Sequence, residues 1–126
     1  MKLKDPQEIQ FRQIHPKWME SDGPSRQAFI PMRNDDGKLS LDRSATTTAE
    51  DSFNNYIGLG LCSGGVYGLT PSEFEGKPNP VECFESPLAN NPHHSHADFN
   101  GLTRSQKKKK SQYLRIMAIN RKMLYP

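Results

Sequence analysis

The sequence predicts an α+β protein: a small, mainly antiparallel sheet of short strands with a long basic C-terminal helix packed on it. Short apolar runs, several with period-two alternation and bounded by Gly, Pro, Asn or Asp, recur between residues 8 and 99. Two segments, beginning at Thr47 and Thr70, open with helix-start signals. From Thr103 or Ser105 to about Met123 the apolar residues fall at helical spacing, with basic residues between them.

Taken in order, Glu8 to Ile14 alternates, with Ile9 and Phe11 on one face and Gln10 and Arg12 on the other, which predicts a half-buried strand. His15-Pro16 ends it, because proline biases the preceding residue to extended backbone and lacks a ladder donor. Ser21-Asp22-Gly23-Pro24 is a turn. Gln27 to Met32 is short and apolar and reads as a strand ending at Pro31. After the turn Asn34-Asp35-Asp36-Gly37, Leu39 and Leu41 alternate with Lys38, Ser40 and Asp42, and the two runs are expected to form a hairpin.

Thr47 with Glu50 three residues on forms a capping box for a helix through Tyr56, and Gly58 is placed to end it. Val66 to Leu69 reads as a buried strand. Thr70-Pro71-Ser72-Glu73 opens a short helix that stops at Gly76. Val81 to Phe84 and His94 to Phe99 complete the strands. On the last helix a wide arc runs over Tyr113, Leu114, Ile116, Met117, Ala118, Ile119 and Met123, leaving Lys108, Arg115 and Lys122 as a narrow basic stripe facing out.

Length and composition fit one domain over residues 1–126, with 104–126 its basic helix. The chain has 126 residues, of which 33% are hydrophobic, with 10 Pro and 9 Gly, so the core is modest and the loops extensive. No run approaches the roughly 20 apolar residues that span a bilayer, so no membrane association is expected. The N-terminal Met-Lys-Leu-Lys-Asp-Pro has no apolar stretch of the export-signal kind. With only Cys62 and Cys83, the reading is free thiols and a cytoplasmic location.

Charge is the most informative bulk property. Residues 104–122 carry eight basic residues and no acid, while the other nine basic residues and all fourteen acids lie in 1–103, a net of −5. An acidic body therefore carries a basic segment, which points to a polyanion or an acidic protein surface as partner. Lys107, Lys108, Lys109 and Lys110 sit at the positive end of the helix, where cations oppose the macrodipole. Four consecutive residues cannot share one face, so some must turn toward the core. Lys107 to Lys110 with Arg115 and Lys122 are the candidate polyanion- or partner-binding residues. A solvated helix entrance is the plainer account.

A second constellation is His93-His94-Ser95-His96-Ala97-Asp98. On a strand His94, His96 and Asp98 share a face. Two imidazoles and a carboxylate are ligands for Zn²⁺ or Fe²⁺, with His15 as a possible fourth; without a metal, His96 or His15 would be the general base. A polar turn with histidines bonding loop backbone is the plainer account. Gly58 to Gly65 fits neither the dinucleotide fingerprint nor a P-loop and reads as a tight turn. Cys62 reads as a small buried hydrophobe rather than a nucleophile. His15-Pro16-Lys17-Trp18, with the one Trp, is either a plug on the core or the rim of a ligand site.

The set Phe11-Arg12-Gln13-Ile14-His15-Pro16, Ser25 to Phe29, Lys38-Leu39-Ser40, Thr48-Ala49-Glu50, His96-Ala97-Asp98-Phe99 and the lysine run resembles small bacterial proteins associated with toxin- and defence-type gene clusters. The resemblance covers most of the chain. It implies an accessory protein working beside a partner, and no catalytic residues. Two functions are therefore expected in order: a non-catalytic accessory or adaptor protein holding an acidic partner or nucleic acid through the basic helix, without a cofactor; or a small histidine- or metal-dependent hydrolase or transferase built on residues 93–98.

Overall fold

The computed structural model describes residues 1–126. Its centre is a five-stranded antiparallel sheet of β1 (Gln10–Gln13), β4 (Lys38–Arg43), β5 (Val66–Leu69), β6 (Glu82–Glu85) and β7 (His94–Asp98), in the order β5-β1-β4-β7-β6. A two-stranded ribbon, β2 (Met19–Glu20) and β3 (Gly23–Pro24), lies apart from it. The helices are α1 (Ala49–Gly58), α2 (Pro71–Glu75) and α3 (Arg104–Arg121). The α+β class and the C-terminal helix are as the sequence predicts, and no helix is long and apolar enough to cross a membrane.

Cross-strand register decides what each face carries. Gln10 pairs with Arg43 and Leu69, and Leu41 with Ser95. One face therefore holds Gln10 and Arg12 with Leu39, Leu41, Tyr67, Leu69, Cys83, Ser95 and Ala97, and Ile14 continues it. This is the core face. It packs Phe29, Phe74, Phe99, Leu114 and Ala118, all fully buried, into one cluster. The alternation of β1 is thus real, but its polar residues point into the core. Gln10 is tolerated there because Ser95 Oγ donates to its Oε1 at 2.7 Å and its Nε2 donates to Glu8 Oε2 at 3.0 Å. Arg43 completes the network, donating twice to Glu8 (2.8 and 3.0 Å) and once to Glu85 (3.0 Å). Burial would raise the Glu8 carboxyl, but the hydrogen bonds from Arg43 and Gln10, with the charge of Arg43, outweigh it and hold it below its ordinary value.

Both sheet edges are covered by chain. The backbone of Met1 and Leu3 bonds to Glu85 and Cys83 on β6, and that of Leu124 and Tyr125 bonds to Val66 on β5. These bonds occupy part of each short edge and make it a poorer template for further strands.

Several elements differ from expectation. Gln27 to Met32 is no strand: Arg26–Phe29 forms a 3₁₀ turn that drops Ala28 and Phe29 into the core, and β4 pairs with β1 and β7 instead of a hairpin partner. Thr48, not Thr47, caps α1, accepting from the Asp51 N–H at 3.1 Å. The helix runs through Gly58, and Gly60 (φ 84°) makes the left-handed turn beyond it. Cys62 is exposed, whereas Cys83 is buried and its thiol is pushed up to about 12 by desolvation; both are free. The capping boxes of α2 (Thr70 with Glu73) and α3 (Thr103 with Gln106) are both formed.

Candidate functional site

The basic residues of α3 divide into two groups. Lys110 is the lysine that turns inward. It is fully buried, and its Nζ donates to the carbonyls of Glu73 and Gly76 at 2.9 Å each, the last of which follows α2. Desolvation pulls its pKa down to about 8, against the smaller favourable charges of Cys83 and Glu73. Arg115 Nε donates to the Pro24 carbonyl at 2.9 Å and Nη2 reaches Asp22 at 3.0 Å, so α3 is tied to the ribbon. Arg121 grips both oxygens of Glu73 (2.9 and 3.0 Å) and the Gly68 carbonyl (2.7 Å). These three cations are held by the protein itself.

Arg104, Lys107, Lys108, Lys109 and Lys122 make no ion pair and no side-chain hydrogen bond; Lys108, Lys109 and Arg104 are exposed, and Lys107 is half-buried. The expected outward stripe Lys108–Arg115–Lys122 is therefore corrected. Its middle member is engaged with Asp22, and Lys122 (φ 73°) has left the helix. The lysine run likewise loses Lys110 from the candidate binding set, because a fully buried ammonium held by two carbonyls is out of a partner's reach. The buried arc is also narrower than expected: Leu114 and Ala118 are buried, but Ile116 is 43% exposed.

On the sheet face opposite the core stand His94, His96 and Asp98, with Phe84 and Ser40 beside them. The strand does align the three as period two requires, but the two histidines are turned to Ser86 and Asp98 to Asn100. His94 Nδ1 lies 3.0 Å from the Ser86 carbonyl, which can only accept, so this nitrogen carries the proton. Ser86 Oγ lies 2.9 Å from both His94 Nδ1 and His96 Nδ1. With the first a donor, the hydroxyl donates to His96 Nδ1 and leaves its Nε2 protonated. Phe84 stacks on the His96 ring at 5.5 Å. Burial and then the charge of Lys38 lower the His96 pKa, which favours the neutral ring. Asp98 accepts from the backbone and side chain of Asn100. No three His, Cys, Asp or Glu side chains converge to hold an ion, so the donor set does not fit the Zn²⁺ or Fe²⁺ site. His15 does not join them as a ligand: its Nδ1 accepts from the Lys17 N–H at 3.1 Å and caps the turn Pro16–Trp18.

A cleft of about 400 Å³ lies on this face, between α1 with its following loop, the loop at Met32–Asp35 and strands β1 and β4; of it the sequence offered only His15-Pro16-Lys17-Trp18 as the rim of a ligand site, and no other wall. Trp18, His15, Tyr56, His94 and Arg12 line it. Asp42 also lines it, but both its oxygens are engaged, by Ser52 Oγ (2.7 Å) and Asn91 Nδ2 (2.7 Å). Arg12 comes from the core face of β1. Beyond Phe11, β1 no longer pairs with β4 although it still pairs with β5. The guanidinium enters that opening, where Nη1 donates to the Ser40 carbonyl (3.0 Å) and Nε to the Ala28 carbonyl (2.9 Å). The polar alternation of β1 was the available signal; the splaying of two strands has none.

Compared with protein-family models, with curated proteins and with solved structures, the chain matches none of them.

Proposed function

We propose that the protein is a small, non-catalytic accessory protein that holds an acidic protein partner through the entrance of α3, with Arg104, Lys107, Lys108 and Lys109 as the contacting cations. The observation that carries this reading is the division of the helix charges: Lys110, Arg115 and Arg121 are bound internally, whereas the cations of the first turns have no partner in the protein. Cations at a helix N-terminus oppose the macrodipole, so these residues do not serve the fold where they stand. The resemblance to proteins of toxin- and defence-type gene clusters implies the same accessory role.

An acidic protein surface is favoured over nucleic acid because Tyr113, the one aromatic near enough to the helix entrance to stack on a base, already has Lys110 Nζ 5.2 Å from its ring. The test is binding of polyglutamate and of mixed-sequence DNA at about 50 and about 200 mM salt, with the native protein and a Lys107→Ala/Lys108→Ala/Lys109→Ala variant. Salt-sensitive polyglutamate binding that the variant loses supports the reading. Tighter binding to DNA replaces the acidic protein by nucleic acid, and binding to neither overturns the role of the helix entrance.

A second reading, a histidine-dependent hydrolase, is favoured by one observation. Ser86 Oγ donates to a His96 ring whose lowered pKa keeps it a neutral acceptor. The cleft reaches His94 but neither Ser86 nor His96, so this reading stands second. Reaction of Ser86 with a fluorophosphonate probe, lost in His96→Ala, would move it first.

A further inference from the structure

We propose that the cleft beside α1 is a binding site for a small organic acid, a monocarboxylate with an apolar or aromatic body, whose carboxylate is received by Arg12. The site is independent of the entrance of α3.

Arg12 is an arginine without a carboxylate. It is half-buried in the wall of the cleft and forms no ion pair. Its two fold-holding hydrogen bonds use Nε and Nη1, and Nη2 has no protein acceptor. The one sealed side-chain polar atom without a partner in the protein is Arg26 Nε, so Nη2 of Arg12 is open to solvent. Desolvation is the main influence on the guanidinium, lowering its pKa from the ordinary value, with Tyr56 and Asp35 opposing at a distance. A partly dehydrated cation with free donors receives an anion more strongly than one in bulk water does.

The rim supplies the rest of the ligand's chemistry. Met32, Leu59 and Leu61 line the cleft and are 45%, 45% and 47% exposed, so its walls present apolar surface to solvent. Trp18 and Tyr56 add aromatic surface. A volume of about 400 Å³ suits a ligand at the small end of the usual range. The charged side chains of the cleft sum to zero, which penalises a phosphate dianion more than a monoanion. Arg12 and Lys17 face the cleft with Asp35 and Asp42, and Asp35 Oδ2 is held by the Met32 N–H at 2.8 Å. One open guanidinium donor pair cannot satisfy three phosphate oxygens.

Trp18 is the only Trp in the chain and lines the cleft, so its fluorescence reports occupancy. The probes are 4-phenylbutyrate, its neutral amide, and phenyl phosphate. The carboxylate is expected to give a saturable change and to bind about 10- to 100-fold more tightly than the amide, the usual worth of a charge-assisted pair. Arg12→Gln is expected to abolish that difference. Because Arg12 also holds Ser40 and Ala28, Leu61→Asp provides a second variant at an exposed position outside the core cluster, and it is expected to weaken the carboxylate by about tenfold. The proposal is overturned by no saturable response, by equal binding of acid and amide, or by native affinity in Leu61→Asp. Tighter binding of phenyl phosphate would overturn the carboxylate assignment.

Discussion

The two stretches of α3 carry the same kind of charge and use it in opposite ways. From Lys110 to Arg121, each cation meets a carbonyl or carboxylate from another element: α2 for Lys110, the β2–β3 ribbon for Arg115, α2 and β5 for Arg121. From Arg104 to Lys109 none does. The contrast teaches that a basic helix is not a uniform electrostatic object. Where neighbouring elements end against it, their unpaired carbonyls recruit its charges; where it extends past them, the charges remain for something else.

Substitutions sharpen or break that contrast. The largest effect is expected at Arg121. Arg121→Ala leaves the half-buried Glu73 carboxylate without its bidentate partner and should cost about 2–4 kcal/mol in denaturant unfolding, discounted from a fully buried pair because both side chains see some water. A loss below about 0.5 kcal/mol would mean that the inner stretch is as dispensable as the outer.

Lys110→Met keeps the apolar stem and removes two donors, and should cost about 1–3 kcal/mol by leaving two carbonyls unsatisfied. Its pH profile carries a further signature. The Lys110 pKa is about 8 when folded against an ordinary 10.5, so between these the unfolded chain binds more protons and stability rises with pH through this group. Cys83, raised to about 12 from 9.0, acts in the opposite sense above pH 9. The difference between native and Lys110→Met profiles should therefore show a rise from pH 8 to 10.5 that belongs to the lysine. A flat difference would mean that the amine is not desolvated.

Arg115→Ala should cost about 1 kcal/mol, since Asp22 is largely exposed and the Pro24 carbonyl is the main loss. The smallest effect has the opposite sign. The triple variant of Lys107, Lys108 and Lys109 to Ala should raise the melting temperature slightly, because Ala has the better helix propensity and the macrodipole is relieved. Destabilisation on thermal unfolding would show that these lysines serve the fold after all.

The legible parts of this protein were local. Thr70 with Glu73 and the proline at the first helical position announced α2, and the run after Thr103 announced α3, because capping is chemistry between residues three apart. The one-residue error at Thr48 has the same origin, since three successive threonines offer equivalent caps. Gln27 to Met32 misled because a short apolar run has no period that separates strand from buried turn. The candidate residues divide in the same way. That some of the four lysines must turn inward followed from helix geometry. That it is Lys110 did not, since the carbonyls of Glu73 and Gly76 lie 37 and 34 residues away.

By itself the sequence determined the α+β class, the caps and turns, the alternation of β1 and the separation of an acidic body from a basic helix, all properties of residues within a few positions of one another. Only the tertiary structure decided which face of β1 is the core, which helix charges are bound, how the two sheet edges are covered and that Arg12 stands in the opening between β1 and β4. Each of these depends on register and on what lies across the sheet, and contacts between distant parts of the chain leave no periodic mark in it.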